Sequence, residues 1–153
     1  MNIKNGLTAG FVATVVLSLL MMAKHSMGIA PQLDPIAMLA GMFGRMTGTP
    51  PDPLIGWLLH FFVGTVLWGI AYAAIQGSLV GSPIVRGMSF GVAAWLLMML
   101  IVMPMAGAGL FGLSLGVAAP ILTLVMHLVF GATLGVVYAK SQGAAARADV
   151  VPG

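Results

Sequence analysis

Four long apolar stretches alternate with short segments that hold nearly all of the charged residues. No Asp, Glu, Lys or Arg occurs between Lys4 and Lys24, between Asp52 and Arg86, or between Arg86 and Lys140. A helix that crosses the hydrocarbon layer needs about 20 apolar residues. The first two gaps therefore hold one span each, and the third is long enough for two. The predicted spans are residues 6–25, 53–75, 83–105 and 120–139.

The residues at the ends of these stretches support the same boundaries. Asp52-Pro53 and Ser82-Pro83 each place a capping side chain before a proline at the first helical position. The glycine-rich segment 107–112 separates the last two spans. The pattern predicts an all-α fold.

Composition places this helical chain in a membrane. Of the 153 residues, 60% are hydrophobic and only 6% are charged, and the mean hydropathy is +1.10. A soluble domain carries about a quarter charged residues. These values exclude a soluble domain and a disordered chain. The net charge of +3 rests on so few groups that it does not indicate a nucleic-acid partner. We expect a multi-pass protein of the cytoplasmic (inner) membrane, with the lipid bilayer as its surroundings.

The distribution of Lys and Arg favours an orientation with both termini inside. In that orientation Lys24 and Arg45 are the outer cations. The inner side then carries Lys4, Arg86, Lys140 and Arg147.

An internal repeat suggests that one helical hairpin is used twice. The sequence from Pro53 through His60 to Gly64 matches the sequence from Pro120 through His127 to Gly131, with proline, histidine and glycine at identical spacing. Both helices then reach a tyrosine, and the first and third spans share paired glycines (Gly6 and Gly10, Gly87 and Gly91). We predict a single domain over residues 1–140 made of two tandem parallel repeats, about 4–76 and 83–140.

Small and polar residues form stripes that should face the interior of the bundle. Close approach of small residues drives much of helix association in lipid. On the first span this stripe comprises Gly6, Gly10, Thr14, Ser18 and His25. The stripes of the second and fourth spans comprise His60, Gly64 and Tyr72, and His127, Gly131, Gly135 and Tyr138.

The three histidines, His25, His60 and His127, are predicted to lie toward one side of the membrane. Ionisable residues within a membrane suggest a functional site. The simplest interpretation is that neutral imidazoles hydrogen-bond across helices and hold the bundle together. An alternative is that His60 and His127 are axial ligands of haem b, with Lys24 and Arg45 as the nearest cations for the propionates. A metal site formed by His25, His60 and His127, or with Asp34 as a ligand, is a third hypothesis.

Thirteen methionines could bind Cu(I) through their thioethers, but packing in an apolar core is the favoured interpretation. The chain has no cysteine and none of the common nucleotide, zinc-protease or serine-hydrolase motifs. No carboxylate lies within a span. We therefore expect a protein that is not an enzyme.

Two segments lie outside the predicted spans. In the outer loop, 28–52, Asp34-Pro35 opens a short apolar run that predicts an interfacial or re-entrant helix, which either anchors the loop or covers the histidine end. The tail, 141–153, is predicted to be disordered and cytoplasmic.

The chain resembles small four-helix bacterial inner-membrane proteins of unknown function of the YagU type. The resemblance rests on the paired glycines that begin the first and third spans, on the His60 and His127 helices, and on Pro104-Met-Ala-Gly107. It implies the same location and helix count, and it implies no catalytic or cofactor residue.

The sequence thus predicts a non-enzymatic accessory, binding or small-solute-handling bundle, as a homo-oligomer or with a membrane-protein partner. The alternative is a haem b or metal-binding redox protein that uses His60 and His127.

Overall fold

A computed structural model describes residues 1–148, with side chains to residue 144. This part of the chain is helical and contains no strand. Four helices are long and apolar enough to cross a membrane, which confirms the four predicted spans. They are α1 (Ile3–Ser26), α3 (Pro53–Ser78), α4 (Pro83–Met105) and α5 (Ala118–Ala148), while the shorter α2 (Pro35–Thr47) joins α1 to α3. A 3-10 segment, Leu110–Leu115, joins α4 to α5.

The predicted helix caps are present. The Asp52 carboxylate accepts a hydrogen bond from the Leu54 amide at 2.8 Å, and the Ser82 hydroxyl oxygen accepts one from the Val85 amide at 3.4 Å. Asp34 does the same for α2 through two amides, each at 3.0 Å. Each cap precedes a proline at the start of its helix. These side chains satisfy amides that the first helical turn leaves without a partner.

Helices α1 and α3 cross where glycines allow their backbones to touch. A Cβ atom at Gly6 would lie 2.5 Å from the Gly69 carbonyl oxygen. One at Gly10 would lie 2.7 Å from the Thr65 carbonyl oxygen. Only glycine fits at this crossing, because the atoms it meets are backbone atoms that cannot move aside.

Helices α4 and α5 cross in the same manner. A Cβ atom at Gly87 would collide with the Gly131 carbonyl, and one at Gly91 with the His127 carbonyl. Gly135 likewise lies against the Pro83 carbonyl. Both hairpins are therefore joined by direct backbone contact, as the predicted glycine stripes require.

The two hairpins meet through a buried cluster of aromatic and small side chains. The rings of Tyr72 and Tyr138 lie edge to face with centroids 5.5 Å apart. Phe90 of α4 contacts Trp68 and Tyr72 of α3 at centroid distances of 5.7 and 5.3 Å. Ala9 and Ala13 of α1 complete this core. The core closes the end of the bundle that lies away from the histidines.

Two spans contain π-helical turns. In α3 the turn is Phe62–Leu67, and in α4 it is Met98–Val102. A π turn accommodates one more residue than an α turn. The π turn in α3 corresponds to an extra residue in the sequence. Twelve positions separate His60 from Tyr72, whereas eleven separate His127 from Tyr138. The extra residue is absorbed by the π turn, which keeps Gly64 and Gly69 on the face that contacts α1.

One predicted boundary differs from the structure. Helix α5 continues to Ala148, beyond the predicted start of the tail at residue 141. Alanine is the best helix former, and four of the nine residues from 140 to 148 are alanine. Residues 149–153 of the predicted tail lie outside the described residues.

Candidate ligand-binding cavity

A cavity of about 340 Å³ lies between the four spans at the histidine end of the bundle. Trp68 and Phe130 form part of its wall, next to the aromatic core. Both His60 and His127 line the cavity, so the structure brings these two predicted site residues together. Its volume lies within the range of small-molecule sites, about 300–1,000 Å³.

Helix α2 forms one wall of this cavity. Pro35, Met38, Leu39 and Met42 all face it. The start of α2 packs tightly on α3, where a Cβ atom at Gly56 would collide with the Ile36 carbonyl. A short helix is thus present within residues 28–52, and it lies against the histidine end of the bundle.

Two basic residues fix α2 and the loop before it. The Lys24 ammonium donates to the carbonyls of Ile29, Ala30 and Leu33 at 3.1, 3.0 and 2.8 Å. These bonds use all three donors of an ammonium group, and Lys24 is only 8% exposed. Arg45 Nη2 donates to the Met105 carbonyl at the end of α4 at 3.2 Å. Both cations that were considered for haem propionates are therefore bonded to backbone carbonyls.

His60 is tied to α1 by a hydrogen bond. Its Nε2 lies 3.1 Å from the Ser18 hydroxyl oxygen, and that hydroxyl donates its only proton to the Thr14 carbonyl at 2.8 Å. Ser18 must then accept from His60, so in the neutral ring Nε2 carries the proton. His60 is 9% exposed and also contacts Trp57 edge to face, with centroids 5.8 Å apart. Its geometry fits the predicted role of joining two helices.

His127 has a different arrangement. Its Nδ1 lies 2.8 Å from the Thr123 carbonyl of its own helix. A carbonyl oxygen only accepts, so Nδ1 carries the proton and Nε2 of the neutral ring keeps its lone pair. The residue is half-buried and lines the cavity. His127 can therefore accept a hydrogen bond from a ligand, or bind a metal, through Nε2.

The two hydroxyl groups on the cavity wall are oriented by their own helices. Thr14 donates to the Gly10 carbonyl and Thr123 donates to the Ala119 carbonyl, each at 2.7 Å. Each hydroxyl proton is thereby used within a helix. The oxygen atoms retain only acceptor capacity.

Methionines and π-helical turns make up much of the remaining wall. The cavity-lining methionines are Met21, Met38, Met42, Met98, Met103 and Met126. Both π turns line the cavity, through Val63, Gly64 and Leu67 in α3 and through Met98, Ile101 and Val102 in α4. Flexible thioethers suit an adaptable binding surface, and π turns occur frequently at functional sites.

His25 does not join the other two histidines. It is exposed and lines a separate cleft of about 450 Å³ between α1, α2 and the start of α3. The prediction that it faces the bundle interior is wrong, because the loop folds back onto Lys24 and leaves His25 at the rim. Within the described residues, no group of three or more His, Asp or Glu side chains is placed to hold a metal ion. The set His25, His60 and His127 is therefore not assembled as a three-ligand site.

Several features of the site were not predicted. Lys24 is buried, and six methionines surround one cavity. Both features depend on how the helices pack, which the sequence pattern does not predict. The π turn in α3 left a signal, namely the extra residue between His60 and Tyr72 relative to the second copy of the motif.

Comparison with known proteins gives a family but no activity. The chain belongs to DUF6789, a family of unknown function whose model matches residues 1–149. No curated protein and no solved structure matches the chain. The match adds nothing specific to the resemblance with YagU-type proteins.

Proposed function

We propose that this protein is a non-enzymatic membrane protein that binds a small lipid-soluble molecule in the cavity between its four spans. The observation that carries the proposal is the meeting of both π turns, His127 and α2 around one apolar cavity. Apolar cavities with a few polar groups are typical ligand sites. A chain that only needed to span the membrane would gain packing energy by filling this space.

The proposed arrangement of the four spans follows the predicted repeat. Tyr72 and Tyr138 are equivalent positions of the two copies, and their rings contact each other. Residues that touch their own equivalents are expected next to a two-fold axis. The parallel-repeat arrangement then places a pseudo-two-fold axis along the membrane normal, with the cavity enclosed by both copies. Both termini would face the cytoplasm, with His60 and His127 toward the outer side of the inner membrane.

A haem b protein is the second candidate, and one observation favours it. His127 presents Nε2 with Nδ1 bonded to a carbonyl, which is the usual arrangement of a ligating histidine. The described contacts of His60 are less suitable, because its Nε2 is bonded to Ser18. Lys24 and Arg45 are also engaged elsewhere. We therefore favour an organic ligand.

The three tryptophans allow the cavity to be tested directly. Trp68 lines the cavity, Trp57 lines the outer cleft, and Trp95 donates to Thr123. A variant with Trp57→Phe and Trp95→Phe reports on the cavity alone. Bromine quenches indole fluorescence on contact, so 4-bromoanisole in lipid nanodiscs should quench Trp68 saturably, and unbrominated anisole should compete.

Filling the cavity provides the control. Ala94 is 2% exposed and faces the cavity, so Ala94→Leu should abolish the saturable quenching. Ala74→Leu, at an exposed position of the same bundle, should leave it unchanged. Quenching that is linear in probe concentration and identical in both variants would reflect lipid partitioning and would refute the proposal. An absorption spectrum with a Soret band in the purified protein would instead support haem.

A further inference from the structure

The polar groups on the cavity wall are almost all hydrogen-bond acceptors. The hydroxyls of Thr14 and Thr123 have donated their protons to their own helices. His60 has donated its Nε2 proton to Ser18, and His127 its Nδ1 proton to Thr123. Each neutral ring keeps one nitrogen lone pair. Thioether sulfur is also only an acceptor, and a weak one.

One lining side chain is a donor without acceptor capacity. The indole of Trp68 carries an N–H group and lies on the wall next to the aromatic core. Among the described residues that line the cavity, no side chain is a carboxylate, an amide or a basic amine. The cavity is therefore uncharged, and its strongest acceptors are the two imidazole lone pairs, on His127 Nε2 and His60 Nδ1. The His60 ring is also packed edge to face against Trp57 and Phe61, which leaves His127 Nε2 as the less obstructed of the two.

An apolar cavity with a free acceptor selects a neutral ligand that donates a hydrogen bond. If the ligand had no donor, His127 Nε2 would be buried without a partner when the cavity filled, which costs free energy. A charged ligand would find no counter-ion on the wall. The thioethers and the rings of Trp68 and Phe130 favour an aromatic ligand, since sulfur and aromatic edges both pack well against rings.

Resting on the proposed function, we infer that the ligand is a lipid-soluble aromatic alcohol of the phenol or hydroquinone class, and that its hydroxyl donates to His127 Nε2. The ring lies among the methionines, and the hydroxyl points toward α5. His127 acts here as a binding residue. Thr123 is a positioning residue, because its carbonyl holds Nδ1 and so keeps Nε2 free.

A matched pair of probes tests this inference. 4-Bromophenol and 4-bromoanisole differ by one methyl group, and only the phenol can donate. Saturable quenching of Trp68 is measured for both in nanodiscs, with each concentration corrected for partitioning into protein-free nanodiscs. The phenol should bind about tenfold more tightly, the effect of one hydrogen bond to an otherwise unpaired buried acceptor. The Trp68 indole cannot produce this preference, because it could donate to the oxygen of either probe.

Substitution of the histidines identifies the acceptor. In His127→Phe, 4-bromophenol should bind no more tightly than 4-bromoanisole. Continued binding of 4-bromoanisole also shows that the variant is folded. His25→Phe, at the exposed rim of the outer cleft, should leave the preference intact.

The possible results distinguish failure of the phenol inference from failure of the proposed ligand cavity. Equal binding of both probes would overturn the phenol inference and leave the ligand cavity in place. A preference that survives His127→Phe would overturn the role of His127. Saturable quenching by neither probe would refute the inference and the proposed function together.

Discussion

The two ends of the bundle differ in how closely their helices pack. At one end, glycines bring backbones into contact and Tyr72 stacks edge to face on Tyr138. At the other end, the same helices separate around a cavity of about 340 Å³. The π turns of α3 and α4 lie at the cavity, and α2 covers it. The glycine contacts join helices within each hairpin, whereas the cavity is lined by residues from both hairpins.

The two histidines show the same contrast on a smaller scale. His60 and His127 occupy equivalent positions, each seven residues after a proline. His60 donates to Ser18 of another helix, whereas His127 donates to its own helix and keeps a free nitrogen. The two histidines of the recurring motif thus differ: His60 bonds to another helix, and His127 bonds within its own helix.

The largest expected effect comes from disrupting the closed end. Gly87→Ala places a methyl group against the Gly131 carbonyl, which belongs to a backbone that cannot move aside. We expect the free energy of unfolding, measured by SDS titration in mixed micelles, to fall by about 3 kcal/mol. Gly77→Ala is the control, because no heavy atom outside its immediate neighbours lies within 4 Å of its added Cβ. Equal stability of the two variants would contradict the backbone contact between α4 and α5 at Gly87.

Removal of the π turn should affect the open end selectively. Deletion of Val66 gives α3 the spacing of α5, with four positions between its two crossing glycines. The π turn should become α-helical and repack the cavity wall, so that the affinity of 4-bromoanisole falls by about tenfold or more while the protein stays folded. Unchanged affinity, measured by quenching of Trp68, would show that the π turn does not shape the site.

Replacing the histidines one at a time should separate their two roles. His60→Leu removes a hydrogen bond between helices and should lower the free energy of unfolding by about 1 kcal/mol. His127→Leu removes only a bond within α5, so its effect on SDS titration should be smaller. The double variant should still insert into membranes. If His127→Leu lowered the free energy of unfolding more than His60→Leu, His127 rather than His60 would be the histidine that joins helices.

The smallest effect concerns the hydroxyl of Tyr138, which is buried and has no hydrogen-bond partner among the described residues. Tyr138→Phe retains the ring contact with Tyr72 and removes the unpaired group. Stability should rise slightly, by up to about 1 kcal/mol. Tyr138→Leu, which loses the ring contact, should instead be less stable. A marked loss of stability in Tyr138→Phe would mean that the hydroxyl has a partner.

The sequence predicted the spans well because hydropathy and charge act locally. The gaps between charged residues located four helices, and Asp52-Pro53 and Ser82-Pro83 located two helix starts. The glycine stripes were also correct, since residues three and four apart share a helical face. The site was only partly predictable. His60 and His127 were identified, but the free nitrogen of His127 depends on side-chain geometry.

Features that depend on helix packing were missed for a physical reason. The charge pattern predicted only the membrane side of Lys24, and it did not predict that the side chain is buried and donates to three carbonyls of the loop. His25 was placed inside by helical periodicity, yet it is exposed because the chain turns at the end of α1. Local sequence patterns predict which residues share a face of a helix. They do not predict which of those residues a neighbouring loop or helix will bury.

The most direct test of the account is to locate a brominated ligand in the structure. Crystals grown in a lipid phase would be soaked with 4-bromophenol, and the anomalous scattering of bromine would mark its position. We predict a single strong peak inside the cavity, with the phenol oxygen within hydrogen-bonding distance of His127 Nε2. A peak confined to the outer cleft beside Trp57, or to the lipid-facing surface, would contradict the account.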